Sequence, residues 1–165
     1  TPEVAGSSPV APVHEAAAHE RPLRIPRRFY SRRMSEGRVR EYWRRLWSDG
    51  DVEFAHEFYA PTFLQNGVER TPETFASGAA WFRSHFEAFS ASVDRIFACG
   101  DVVVTRVVYT GSHAQDFPGV AATGARVEVT GLDVFRFEDG RVVEHLHEAD
   151  HEAMWEQLGV RLPPG

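Results

Sequence analysis

The sequence has no lysine and one cysteine, Cys99, among its 165 residues. A single thiol excludes an intramolecular disulfide and any zinc site built on two or four cysteines, and it fits a reducing cytoplasm. No apolar run approaches the roughly 18 residues that span a bilayer. The start, Thr1 to Gly6, carries neither the basic n-region nor the apolar h-region of a signal peptide. Neither a membrane nor an exported role is expected. Methionine is also scarce, at two, whereas twelve Phe, four Trp and four Tyr are present. These rings can pack one solid core or line an apolar pocket, and 165 residues suit a single domain.

Charge divides the chain. Residues 1–45 hold ten Arg against five Glu, and residues 46–165 hold eight Arg against nineteen acids. Residues 1–34 combine five Pro, Ala16-Ala17-Ala18 and an Arg cluster with few spaced apolar positions, the pattern of a flexible arm. Base-stacking motifs and an amphipathic stripe are both missing there, so neither nucleic acid nor lipid is expected as a partner. The folded domain is read over 35–165.

Within it, Val39, Trp43, Leu46 and Trp47 recur at helical spacing behind Ser35, a candidate N-cap, and Gly50 ends the helix. A second short helix is read from Asp51 to the stop at Pro61. A third opens at Thr71-Pro72 and carries Phe75, Ala79, Phe82, Phe86 and Phe89. The period then falls to two over 92–98, 102–113, 126–137 and 141–148, with Asp139-Gly140 as a hairpin turn. About three helices followed by a four-stranded antiparallel meander predict an α+β fold.

Some candidate site residues follow from alternation alone. His113 shares a strand face with Tyr109, Val107 and Val103, which sets a titratable imidazole beside a phenol. Arg106 falls on the opposite face and reaches the same cavity only if a bulge intervenes. His145, His147 and His151 with neighbouring acids suggest a metal. Yet His145 and His147 share one strand face while Glu144, Glu148 and Asp150 share the other, so no metal site and no cofactor is expected. Glu148 beside Asp150 is a carboxyl pair able to split into acid and base, with His147 alongside as a substrate-binding candidate.

Six fragments in order resemble the SnoaL-like polyketide cyclases of the NTF2-like superfamily: Gly50-Asp51; Phe58 to Pro61; Gly100 to Arg106; Gly111-Ser112-His113 with Phe117-Pro118-Gly119; Phe135 to Glu144; and Asp150 with Gln157-Leu158-Gly159. The resemblance covers about 42–160. It implies a cone-shaped α+β barrel whose strongly bent sheet closes on a pocket, with Asp150 as catalytic acid/base and Asn66 as a polar pocket residue. Alternatively, Asp150 is an N-cap for a C-terminal helix, and Asn66-Gly67 a turn. Ala121-Ala122 stands where the family often has two prolines, and Leu146 where it often has tryptophan. The implied function is a cofactor-free cyclase or isomerase acting on a small hydrophobic polyketide-type intermediate by acid/base catalysis. Epoxide opening on the same fold and a non-catalytic binding module are the alternatives, and a solvent-facing Asp150 favours the latter. Val102, Val104 and Val108 on the outer sheet face predict a homodimer or higher oligomer.

Overall fold

The structure, a computed structural model, describes residues 32–117 and 119–160. All but the last three residues of the arm read from sequence lie outside them. Helix α1 (Arg32–Tyr42) continues into a π-helical stretch, Trp43–Asp49, and buries Val39, Tyr42, Trp43 and Leu46 on one stripe. It begins earlier than expected. Ser35 is therefore no cap but a fully buried residue inside the helix. Gly50 closes the segment at φ 82°, its N–H bonded to the Arg45 carbonyl.

A 3-10 turn, Val52–Phe54, and the single-turn α2 (Ala55–Phe58) replace the longer second helix of the sequence reading. From Tyr59 the chain is extended: β1 (Tyr59–Gln65) and β2 (Val68–Arg70) form a hairpin whose turn is Asn66-Gly67, both at positive φ. Pro61 sits where the β1 register shifts, between Tyr59 and Leu64, a bulge position that proline tolerates inside a sheet.

Helix α3 (Pro72–Ser84) starts as expected, with a Thr71/Thr74 capping box and Pro72 in its first turn. It stops before Phe86, although the apolar spacing runs on. His85 ends it, the ring Nδ1 lying 2.7 Å from the Trp81 carbonyl oxygen. In β3 (Phe86–Cys99) the register shifts between Glu87 and Ser90 and Ala88 takes φ 50°, so Phe86 and Phe89, three apart, both face inward. A bulge thus imitates a helical period.

β4 (Val102–His113), β5 (Arg126–Glu138) and β6 (Arg141–Ala149) follow the expected meander, and α4 (His151–Gln157) ends the described fold. The sheet order is β2-β1-β6-β5-β4-β3. β1 runs parallel to β6, so the sheet is mixed and not purely antiparallel; among the described residues three α-helices precede the meander, as expected, and α4 follows it. Helix α3 packs on both β1 and β3, four strand spacings apart. Register shifts at Tyr59/Leu64, Glu87/Ser90, Val93/Arg95 and Arg136/Phe137 bend the strands, so the sheet curves around its aromatic face. The concave side holds the aromatic core, where Tyr42 stacks on Phe58 at 4.4 Å and meets Phe135 edge-on at 5.3 Å. Among the described residues no helix is long and apolar enough to cross a membrane.

Candidate functional site

The bend leaves a cavity of about 370 Å³ between α1, α3 and the concave sheet face. Rings of Trp43, Trp47, Phe75, Phe82, Phe89 and Tyr109 make most of its wall. Its polar groups gather on β5 and β6, where Asp133, His145 and His147 line it. Gln65, Arg70, Thr74 and His151, all partly or fully exposed, stand at its mouth.

Register explains the polar cluster. Asp133 pairs directly with His147 across the β5–β6 ladder, and Phe135 with His145, so the acid and both imidazoles project from one face. Oδ1 of the fully buried Asp133 lies 2.8 Å from His145 Nε2 and 2.8 Å from His147 Nδ1. On the far side of its ring, His145 Nδ1 lies 2.9 Å from the Tyr59 hydroxyl, itself 3.1 Å from that of Tyr42. A carboxylate only accepts, so each imidazole turns an N–H toward Asp133. Neutral His145 then accepts at Nδ1 from Tyr59, and neutral His147 keeps Nε2 unprotonated.

The charges follow from this wiring. Burial pushes the Asp133 pKa up, but hydrogen bonds and charge from His145 and His147 outweigh it and hold the carboxyl below its ordinary value. Burial dominates at His145 and lowers its pKa despite Asp133. Burial opposes protonation at His147 too, yet the Asp133 hydrogen bond and charge, with Glu148 adding to them, raise it above 6.5. The two imidazoles are thus pushed apart, one toward neutrality and one toward use as a proton carrier. Tyr109, buried beside Asp133, has its pKa raised well above 10 by burial and then by that carboxylate, so its hydroxyl stays protonated. That hydroxyl has no hydrogen-bond partner among the described residues.

Of the residues expected from sequence, this site brings together only His147 and Tyr109. Asp150 is exposed, and its Oδ1 accepts from the Ala153 N–H at 2.9 Å and caps α4. Glu148 is exposed on the outer face and reaches His147 only through charge. Arg106 stays on the outer face beside Leu132, in regular β4–β5 register, and forms an ion pair with Asp94. The condition for it to enter the cavity is not met.

His113 does face inward with Tyr109 and is fully buried, but it lies outside the cavity. Its ring stacks on Phe117 at 5.2 Å and its Nδ1 accepts from the Thr123 N–H at 3.3 Å, so it anchors the β4–β5 loop. Asn66, at the hairpin tip, accepts from the His147 N–H at 2.7 Å and donates to the His147 carbonyl at 2.9 Å. It holds the backbone of a site residue from outside the pocket.

Asp133 is the residue absent from the sequence reading, and His145 enters it only in a metal reading. A signal existed: Val127, Val129, Phe135 and Phe137 form the buried face of β5, and Asp133 interrupts it as a lone acid in phase. The shared face of His145 and His147 was read correctly, but the acid was sought on their own strand when it stood on the next one. The donor atoms of Asp133, His145 and His147 lie within 4.8 Å of one another, making them the described residues best placed to hold a metal ion.

A family model described as SnoaL-like polyketide cyclase matches residues 34–158. The aklanonic acid methyl ester cyclase AcmA of Streptomyces galilaeus is 30% identical over 119 residues, covering 70% of this chain and 82% of that protein. Its counterpart DnrD of Streptomyces peucetius is 29% identical over 120 residues, with the same coverage. Among solved structures, TsrD from Streptomyces laurentii superposes with a TM-score of 0.72 at 25% identity, over 79% of this chain and 98% of that one. IdmH from Streptomyces antibioticus does so at 0.68 and 31%, over 77% and 99%.

Proposed function

The chain belongs to the SnoaL-like polyketide cyclase family, and from that premise we propose that it closes a ring in a polyketide-type intermediate by acid/base catalysis, with His147 as the proton carrier. The observation that carries this reading is the buried Asp133 shared by two imidazoles at the polar end of an aromatic cavity. Asp133 fixes the His147 tautomer, and Nε2 is left free to accept. In an aldol closure, Nε2 takes a proton from the carbon beside a substrate carbonyl, and the Tyr109 hydroxyl donates a hydrogen bond to the enolate oxygen that develops. The enolate carbon then bonds to a second carbonyl carbon of the same molecule. The His147 imidazolium returns the proton to the new alkoxide. Atoms and charge balance without a cofactor, and the product is an isomer of the substrate.

The apolar wall supports the same reading, because it favours a flat aromatic substrate and keeps water from the enolate. Aklanonic acid methyl ester, after which the relatives are named, and the corresponding free acid are the trial substrates, and product formation is followed by chromatography. His147→Gln keeps an amide able to reach Asp133 but cannot carry a proton, so turnover should fall by about 10² to 10⁴ while the fold persists. A folded Gln variant working at the parent rate would remove His147 from the mechanism. A parent protein that binds such polyketide esters and leaves them unchanged would make the domain a binding module.

A further inference from the structure

We infer that the substrate carries a carboxylate at the end remote from the reacting carbon, and that Arg70 at the cavity mouth is the residue that recognises it; this rests on the cavity being the substrate pocket. Most described arginines of this chain are engaged: Arg45 with Asp51, Arg106 with Asp94, Arg136 with Glu138 and Glu144, and Arg141 with backbone carbonyls. Arg70 has no hydrogen bond or ion pair with any described residue, although it lines the cavity. Arg40 and Arg126 likewise have no side-chain hydrogen bond or ion pair with a described residue, but neither lines this cavity. Among the described residues Arg70 is also the single arginine in the cavity lining, and the one acid there, Asp133, is buried and already bonded to two imidazoles.

Strand register fixes where Arg70 stands. It pairs with the buried Phe63 across the β1–β2 hairpin, and residues directly opposite project to the same side, so its side chain belongs to the concave face. β1 in turn pairs with β6, where Gln65 is opposite His145. Two strand spacings, about 10 Å, therefore separate the strand of Arg70 from that of His145 and His147. The Gln65 side chain between them also has no hydrogen-bond partner among the described residues and faces the same mouth. A polar, cationic mouth, an aromatic middle and a proton-carrying inner end together select a long planar molecule with an anion at one end. The guanidinium fork binds a planar carboxylate through two parallel hydrogen bonds, which its methyl ester cannot match.

The test measures binding, independently of turnover. Anthraquinone-2-carboxylic acid and its methyl ester are titrated into the whole protein at low salt, with quenching of tryptophan fluorescence as the readout, since Trp43 and Trp47 line the cavity. The acid should bind about tenfold more tightly than the ester. Arg70→Gln should abolish that ratio with little change for the ester, and Arg70→Lys should restore part of it, as a point charge replaces a fork. Equal affinities in the parent, or a ratio that survives Arg70→Gln, would overturn the anion site and leave the pocket reading standing. Binding of neither probe would overturn both.

Discussion

At the residue scale, the proposed chemistry rests on one carboxylate that two imidazoles divide. His147 must be neutral to take a proton, and its pKa is raised above 6.5. The rate constant kcat/KM should therefore rise with pH through a midpoint above 6.5. Asp133→Asn removes the charge that raises this pKa, so the limb should move to lower pH as turnover falls. The same variant keeps one amide oxygen for the imidazoles but sets an amide N–H among buried donors, and a loss of roughly 1–3 kcal/mol in chemical denaturation is expected. The acid side of the stability profile has a definite sign. His145, with its pKa lowered in the fold, contributes stability that is present above 6.5 and lost as pH falls from there toward the folded value. Asp133, also lowered, contributes stability present above its ordinary value of 3.8 and lost as pH falls through its folded one. Dialysis against a chelator should leave turnover intact, because Asp133 is already hydrogen-bonded to both would-be nitrogen ligands.

At the scale of elements, α4 begins on a capping carboxylate. Replacing Asp150 with Ala removes the acceptor for the Ala153 N–H and should cost about 1 kcal/mol in a thermal melt, with kcat unchanged. A collapse of turnover in that variant would return Asp150 to the mechanism. Elements with one dominant local signal were legible in the sequence: the capped start of α3, the alternation of β4 and β5, and the Asp139-Gly140 turn. Elements governed by distant partners were not. β1 reads locally as the tail of a helix because the strand it joins, β6, is far along the chain, and Pro61 reads as a terminator because its bulge is invisible without register. The end of α3 was hidden for a related reason, since the bulge at Ala88 keeps Phe86 and Phe89 in a helix-like spacing. The site follows the same division. His147 and Tyr109 lie on strands whose alternation was readable, whereas the meeting of Asp133 with the imidazoles is a fact of β5–β6 pairing.

At the scale of the whole molecule, an apolar stripe lies on the outer sheet face among the described residues. Phe97, Val104, Val134 and Leu146 stand opposite one another across four strands, beside Leu132, and Phe97 and Leu132 are more than half exposed. The valines expected there are half-buried, so the larger side chains carry the apolar character. Association of two copies through this face is the expected outcome, and sedimentation at micromolar concentration should give a dimer. Phe97→Glu, which sets a charge in the stripe, should shift it toward 18.6 kDa. A parent protein that sediments only as that smaller species would refute the assembly.

The parallel pairing of β1 with β6 also governs when the pocket comes into being. Tyr59 and His145, which touch at 2.9 Å, are 86 residues apart, and every polar group at the inner end of the cavity is seated on β5 or β6 or oriented by them. During synthesis the β3–β4–β5 meander is the local part that can fold on emerging from the ribosome, while β1 waits with only β2 beside it. Until β6 arrives, the nascent chain exposes one edge of β1 to any other strand, and it has no proton carrier to offer a substrate. The proposed proton carrier is therefore seated late in synthesis, and a chain ended at Gly140 would hold a folded meander with neither His145 nor His147.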